Sequence, residues 1–168
     1  AGFIQVAIQG NNPYFSGFHG GELDNMLLWV LGSGLVCGIA GGLFGQFLYK
    51  GAAAFSPQKW RGLIVRHPLL LAAAMGVLLA LLGTVYQGQT YGTGYNEASG
   101  ALRRMYDAPF GIAAAKWAAT VFSYWAGIPG GIFTPSLTIG AMLGSHIAAL
   151  VGLETGVNVV VLICMAAF

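Results

Sequence analysis

The chain has 168 residues, of which 57% are hydrophobic and only 7% charged, and its mean hydropathy is +0.73. A soluble domain carries about 25% charged residues, so seven basic and five acidic side chains cannot supply the polar skin that a fold of this length needs in water. The net charge of +2, with no basic run beyond Arg103-Arg104, leaves no footprint for nucleic acid.

In chain order, residues 1–8 read as the tail of an apolar helix. Residues 10–21 read as a glycine-rich loop whose Tyr14, Phe15 and Phe18 suit a membrane–water interface. Residues 26–49 carry no charge and exceed the roughly 20 residues that cross a hydrocarbon core. Asp24 or Asn25 can cap this span, and Lys50-Gly51 ends it. Within it Gly34, Gly38 and Gly42, and also Gly41 and Gly45, recur at a spacing that puts small residues on one helix face. Lys59, Arg61 and Arg66 make the following stretch basic, which places it on the cytoplasmic side by the positive-inside rule.

A second span follows at 69–86, opened by Pro68. A glycine-rich turn then ends in Gly92-Thr93-Gly94, and residues 95–105 form a short amphipathic helix. A third span runs over about 109–126, capped by Asp107, with Pro109 in its first turn and Lys116 inside it. Residues 133–150 make a fourth, and 157–168 begin a further helix. Cys37 and Cys164 lie in apolar runs and read as small buried residues, neither a disulfide nor a metal pair. The chain starts without methionine and stops inside an apolar run, as a segment of a longer protein would. The whole, 1–168, reads as one partial transmembrane domain: an all-α polytopic bundle with tilted and broken helices.

The segment that carries chemistry is Gly127-Ile128-Pro129-Gly130-Gly131-Ile132-Phe133-Thr134-Pro135-Ser136. It interrupts two apolar helices with three glycines and two prolines and bears no charge. Irregular backbone at membrane depth is tolerated only where protein buries it or where it lines an aqueous cavity. Pro135 suits an early helical position, which leaves the amides of Ile132, Phe133 and Thr134 free at a helix N-terminus. Free N–H groups and the helix dipole attract anions, and broken helices aimed at an anionic substrate recur in transporters. A glycine- and proline-rich connector with no ligand is the plain alternative.

The stretch 126–144, AGIPGGIFTPSLTIGAMLG, resembles the G-[IV]-F-x-P motif and following helix of the CLC chloride channel and transporter family. Lys116 stands where that family commonly has a basic residue, and Gly92-Thr93-Gly94-Tyr95 is similar to its glycine-rich turn. The order of elements along the whole chain agrees as well, and the closing MAAF resembles the start of the family's next helix. The resemblance implies a voltage-gated-type channel or an anion/proton antiporter, homodimeric with one pore per subunit, that carries chloride or a similar small anion across a lipid bilayer. It implies that the Ile132 and Phe133 amides bind the central chloride, that Gly130 and Gly131 allow close approach, that Pro135 starts the helix, and that the Phe133 ring lines the pore. The family's GSGIP serine loop and G-[KR]-E-G-P string are absent here; Trp125 and Ala126 precede Gly127-Ile128-Pro129. By the same resemblance, the pore tyrosine would lie after Phe168 and the internal proton-transfer glutamate before Ala1.

Other residues are weighed against this reading. Lys116 either tunes the field along an anion path or snorkels to the interface. His146 reads as a packed, hydrogen-bonded residue sooner than a proton carrier. Glu97 suits a cap or a solvated face, and Glu154 an interface. Another secondary transporter with a broken-helix site is the main alternative. An intramembrane serine hydrolase built on Ser33 and His146 is a weaker one, because Ser33 sits in the body of its span with no oxyanion donor beside it. No Walker-type loop and no metal-ligand spacing occurs, so no cofactor, metal or enzymatic activity is expected beyond chloride as the bound substrate ion. A bacterial inner membrane is the expected location.

Overall fold

A computed structural model of the chain describes residues 26–105, 108–128 and 130–168. The expected 10–21 loop, the caps Asp24, Asn25 and Asp107, and Pro129 lie outside the described residues. The described chain is all helical: α1 (Met26–Phe55), α2 (Gln58–Arg66), α3 (Pro68–Val85), α4 (Tyr95–Leu102), α5 (Ile112–Trp125), α6 (Phe133–Val151) and α7 (Val157–Ala167).

α1, α3 and α6 are long and apolar enough to cross a membrane. α1 and α3 have hydropathies of 2.0 and 2.3, yet most of their side chains face outward, with Leu69 84% and Leu27 71% exposed. Such faces are stable in lipid and would aggregate in water. α1 continues to Phe55, but Gly51 breaks its geometry at φ 69°, so the helix turns where Lys50-Gly51 predicts an end. Arg61 of α2 then reaches back and donates to the carbonyls of Ala53 (2.9 Å) and Ala54 (3.4 Å), acceptors that the helix end leaves open.

Two helix bounds differ from the sequence reading for local reasons. The expected 95–105 helix stops at Leu102 because Arg104 takes a left-handed φ of 57°, and the Met105 N–H closes onto Gly100 O at 2.9 Å. The expected 109–126 helix begins only at Ile112. Left-handed Gly111 (φ 79°) precedes it, so Pro109 lies before the first turn and not within it. α5 has 14 residues, which at 1.5 Å each is ~21 Å, short of the hydrocarbon thickness.

α6 is the hub, in contact with α1, α4, α5 and α7. Ile139, Ala141 and Met142 of α6 each anchor a separate apolar cluster, against α1 and α5, against α4 and α7, and against α5 respectively. The close helix pair is α6–α7, and glycine makes it close. A Cβ on Gly140 would stand 2.7 Å from Cys164 O, and one on Gly144 2.7 Å from the Val161 Cα. Among the described residues, only Gly41 of the glycine face expected on α1 meets a neighbour, the Phe168 backbone, whereas none approaches Gly34, Gly38, Gly42 and Gly45. α1 instead packs on α5 through rings. Phe47 meets Trp117 edge-on at 4.9 Å and stacks on Trp125 at 6.0 Å, and the Trp125 indole N–H donates to Phe47 O at 2.9 Å. Cys37 and Cys164 are free and buried, and they share one apolar cluster between α1 and α7.

Candidate functional site at the helix break

The site sits where two irregular segments meet: the turn between α3 and α4, and the break between α5 and α6. The turn needs glycine. Gly88, Gly92 and Gly94 have φ of 84°, 61° and 79°. At Gly94 a side chain would also collide with Thr138, so this position is closed to any other residue on two counts.

Two side chains hold the turn. Lys116 of α5 is 1% exposed, and its ammonium donates to the carbonyls of Thr90, Tyr91 and Gly92, each at 2.9 Å. An ammonium has three N–H donors, and all three are used. Lys116 therefore does not snorkel. Its charge stays inside, and the nearby carboxylate that acts on it electrostatically is that of Glu97, half-buried in the first turn of α4. The buried Thr138 hydroxyl of α6 lies 3.0 Å from Thr93 O, 3.1 Å from Gly94 O and 3.0 Å from Thr134 O of its own helix. Five consecutive carbonyls, Thr90 to Gly94, thus point at two side chains, one on each helix that flanks the break.

At the break itself, Gly127 takes φ 78° and ends α5. Ile132 is the N-cap of α6, its carbonyl accepts the Ser136 N–H at 3.0 Å, and Pro135 is buried in the first turn. Geometry of this kind leaves first-turn N–H groups without intrahelical acceptors. Gly130 and Gly131 border open space, so nothing among the described residues approaches them closely. The Phe133 ring is 74% exposed and Ile132 43%; Thr134 is half-buried beside them. A cavity of about 380 Å³ opens here, lined by Gly130, Gly131, Ile132 and Pro135 of the break and by Thr90 to Thr93 of the turn. Leu79 and the α5 residues Ala119, Thr120, Ser123 and Tyr124 contribute to its walls, and no charged residue among the described ones lines it.

The structure does not join Ser33 and His146. Ser33 bonds Trp29 O, whereas the His146 ring nitrogens lie 2.7 Å from Met142 O and 3.2 Å from Pro109 O. Glu154 is exposed, and its carbonyl accepts from Arg104. Among the described residues no cluster of His, Cys, Asp or Glu is arranged to hold a metal ion. Sequence reading missed Thr90 and Thr138 and could not decide Lys116. The signal was a lysine within an apolar helix together with a glycine turn elsewhere, and nothing in the spacing says that they meet.

The family model described as voltage gated chloride channel matches residues 1–168, the whole chain. The chain belongs to the voltage-gated chloride channel (CLC) family. A putative chloride channel protein, ClcB-like, from Ralstonia nicotianae is 31% identical over 134 residues, covering 79% of this chain and 29% of that protein. An H(+)/Cl(-) exchange transporter, ClcA, from Citrobacter koseri is 30% identical over 131 residues, covering 74% of this chain and 27% of its own length. The chain therefore spans less than a third of these curated relatives. No solved structure matches it significantly. Membership in this CLC family, with the outward-facing apolar helices, identifies an integral membrane protein.

Proposed function

We propose that the intact protein moves chloride or a similar small anion across a lipid bilayer, as a channel or as an anion/proton antiporter, and that it is a transporter rather than an enzyme. The anion is held by the backbone amides of Ile132 and Phe133 at the N-terminus of α6. The observation that carries this reading is the cavity, without a charged residue among its described lining, into which the α5–α6 break opens, with a helix N-terminus at its edge. Amides hold an anion without a full countercharge, so the ion binds and also leaves, as conduction requires. Gly130 and Gly131, with no side chains, keep the approach clear, and Thr134 and Pro135 complete the first turn. The protein acts as a homodimer with one pore per subunit, in a bacterial inner membrane, and needs no cofactor.

The test is chloride efflux from liposomes holding the intact protein, followed with an ion electrode. Wild type is compared with Gly131→Val and Phe133→Ala. The expected result is rapid efflux that the variants change in rate or in anion selectivity. Efflux absent from well-folded wild type, or untouched in both variants, would reduce the break to a structural connector.

A further inference from the structure

We propose that the turn Thr90–Gly94 is a second anion subsite facing the helix break, which takes a small monovalent anion on the Gly92 and Thr93 N–H groups and the Thr90 hydroxyl. The proposal rests on the reading above only for the identity of the ion.

The argument begins with peptide geometry. In a trans peptide the C=O and the following N–H point in opposite directions. Lys116 draws the carbonyls of Thr90, Tyr91 and Gly92 to one side of the turn. The N–H groups of Tyr91, Gly92 and Thr93 are thereby turned to the other side. That of Tyr91 is used within the turn, on Gly88 O at 3.0 Å. Lys116 does not line the cavity, but Thr90, Tyr91, Gly92 and Thr93 all do, so the cavity lies on the N–H side. The φ values alternate in sign, positive at Gly92 and Gly94 and negative at Thr93 between them. Alternation of this kind makes successive N–H groups converge into an anion-binding concavity.

A second observation points independently to a ligand. Thr90 is 5% exposed and lines this cavity, and its Oγ1 is the one buried side-chain polar atom among the described residues without a hydrogen-bond partner. Buried hydroxyls are almost always paired. A hydroxyl donor beside outward N–H groups, with a fixed lysine charge behind the turn and no carboxylate among the described residues of the cavity wall, suits an anion. The helix N-terminus at Ile132 lines the same cavity.

Crystals of the intact protein grown in bromide, measured at the bromine absorption edge, test the site directly. An anomalous peak between Thr90–Thr93 and Gly130–Ile132 is expected; its absence, with water there instead, overturns the subsite. In liposomes Thr90→Val is expected to raise the half-saturating chloride concentration at least threefold with little change in maximal flux, and Thr90→Ser to behave as wild type. Half-saturation equal to wild type in a well-folded Thr90→Val overturns the role of the hydroxyl. Should wild type carry no chloride at all, the transport reading fails, and the bromide peak alone decides for or against the subsite. The same peak decides if Thr90→Val does not fold.

Discussion

Replacing Lys116 with methionine removes the ammonium, keeps an unbranched chain of similar bulk, and leaves three carbonyls facing an apolar group. A hydrogen bond to a charged group contributes about 1.5–3 kcal/mol net of solvent exchange. The bond to Thr90 O is buried and those to Tyr91 O and Gly92 O are partly so. Taking the low end for each gives a loss of about 4–5 kcal/mol for Lys116→Met. Arginine keeps the charge, but its planar fork cannot converge on three carbonyls around one point. Lys116→Arg then loses about one of the three bonds, or about 1.5 kcal/mol. Equilibrium unfolding of the intact protein in mixed micelles, with wild type and both variants side by side, reads these differences. The expected order is wild type, then arginine, then methionine. A methionine variant within 1 kcal/mol of wild type, or one more stable than the arginine variant, would show that the three bonds do not hold the turn.

Three further outcomes follow from the packing. Thr138→Val keeps the side-chain shape and loses the hydroxyl that reaches Thr93 O and Gly94 O, so unfolding in the same micelles is expected about 1–2 kcal/mol easier, with Thr138→Ser near wild type. Gly140→Ala and Gly144→Ala force α7 away from α6 and are expected to cost about 1–3 kcal/mol each by thermal unfolding, whereas Gly62→Ala, which meets only open space, is expected to be neutral or slightly stabilising. Trp125→Phe gives up the bond to Phe47 O and is expected to lose about 1 kcal/mol; an unchanged melting curve would remove that bond from the α1–α5 contact.

Much of the fold was legible because apolar runs in a nearly uncharged chain leave few choices. The helices at 68–85 and 133–151 fall close to where hydropathy puts them, with Gly152 ending the latter in a left-handed cap. The break was legible for a related reason, since glycine and proline cannot continue a membrane helix without consequence. Helix ends set by a single dihedral, at Gly111 and at non-glycine Arg104, were not legible, because a lone arginine carries no sign of a left-handed conformation. Nor was the close helix pair. Small residues spaced for packing occur on α1 and on α6 alike, and only the tertiary arrangement selects Gly140 and Gly144 as the pair that a neighbour approaches. The site residues split along the same line. Those that are contiguous in sequence, 130–135, were read as a unit. The turn, Lys116 of α5 and Thr138 of α6 lie on three separate stretches of chain, and their meeting follows from how α5 and α6 flank the turn.

The distribution of irregular backbone carries the functional argument furthest. In a hydrocarbon setting every peptide group outside a helix needs a partner. Among the described residues, two segments of such groups, the 86–94 turn and the break between α5 and α6, meet at one cavity. On the carbonyl side Lys116 takes up those of Thr90, Tyr91 and Gly92, the single Thr138 O–H serves Thr93 O or Gly94 O, and Gly94 O also accepts the Ala98 N–H at 3.0 Å. A fold seeking stability alone would gain nothing from spending its one cation in the apolar interior of α5 on a glycine turn, when a continuous helix needs no such support. The expense is intelligible if the turn must present its N–H face to the cavity. On the proposed reading, neutral donors from the turn and from the helix break, with the fixed charge withheld behind the turn, are what would favour an anion without trapping it.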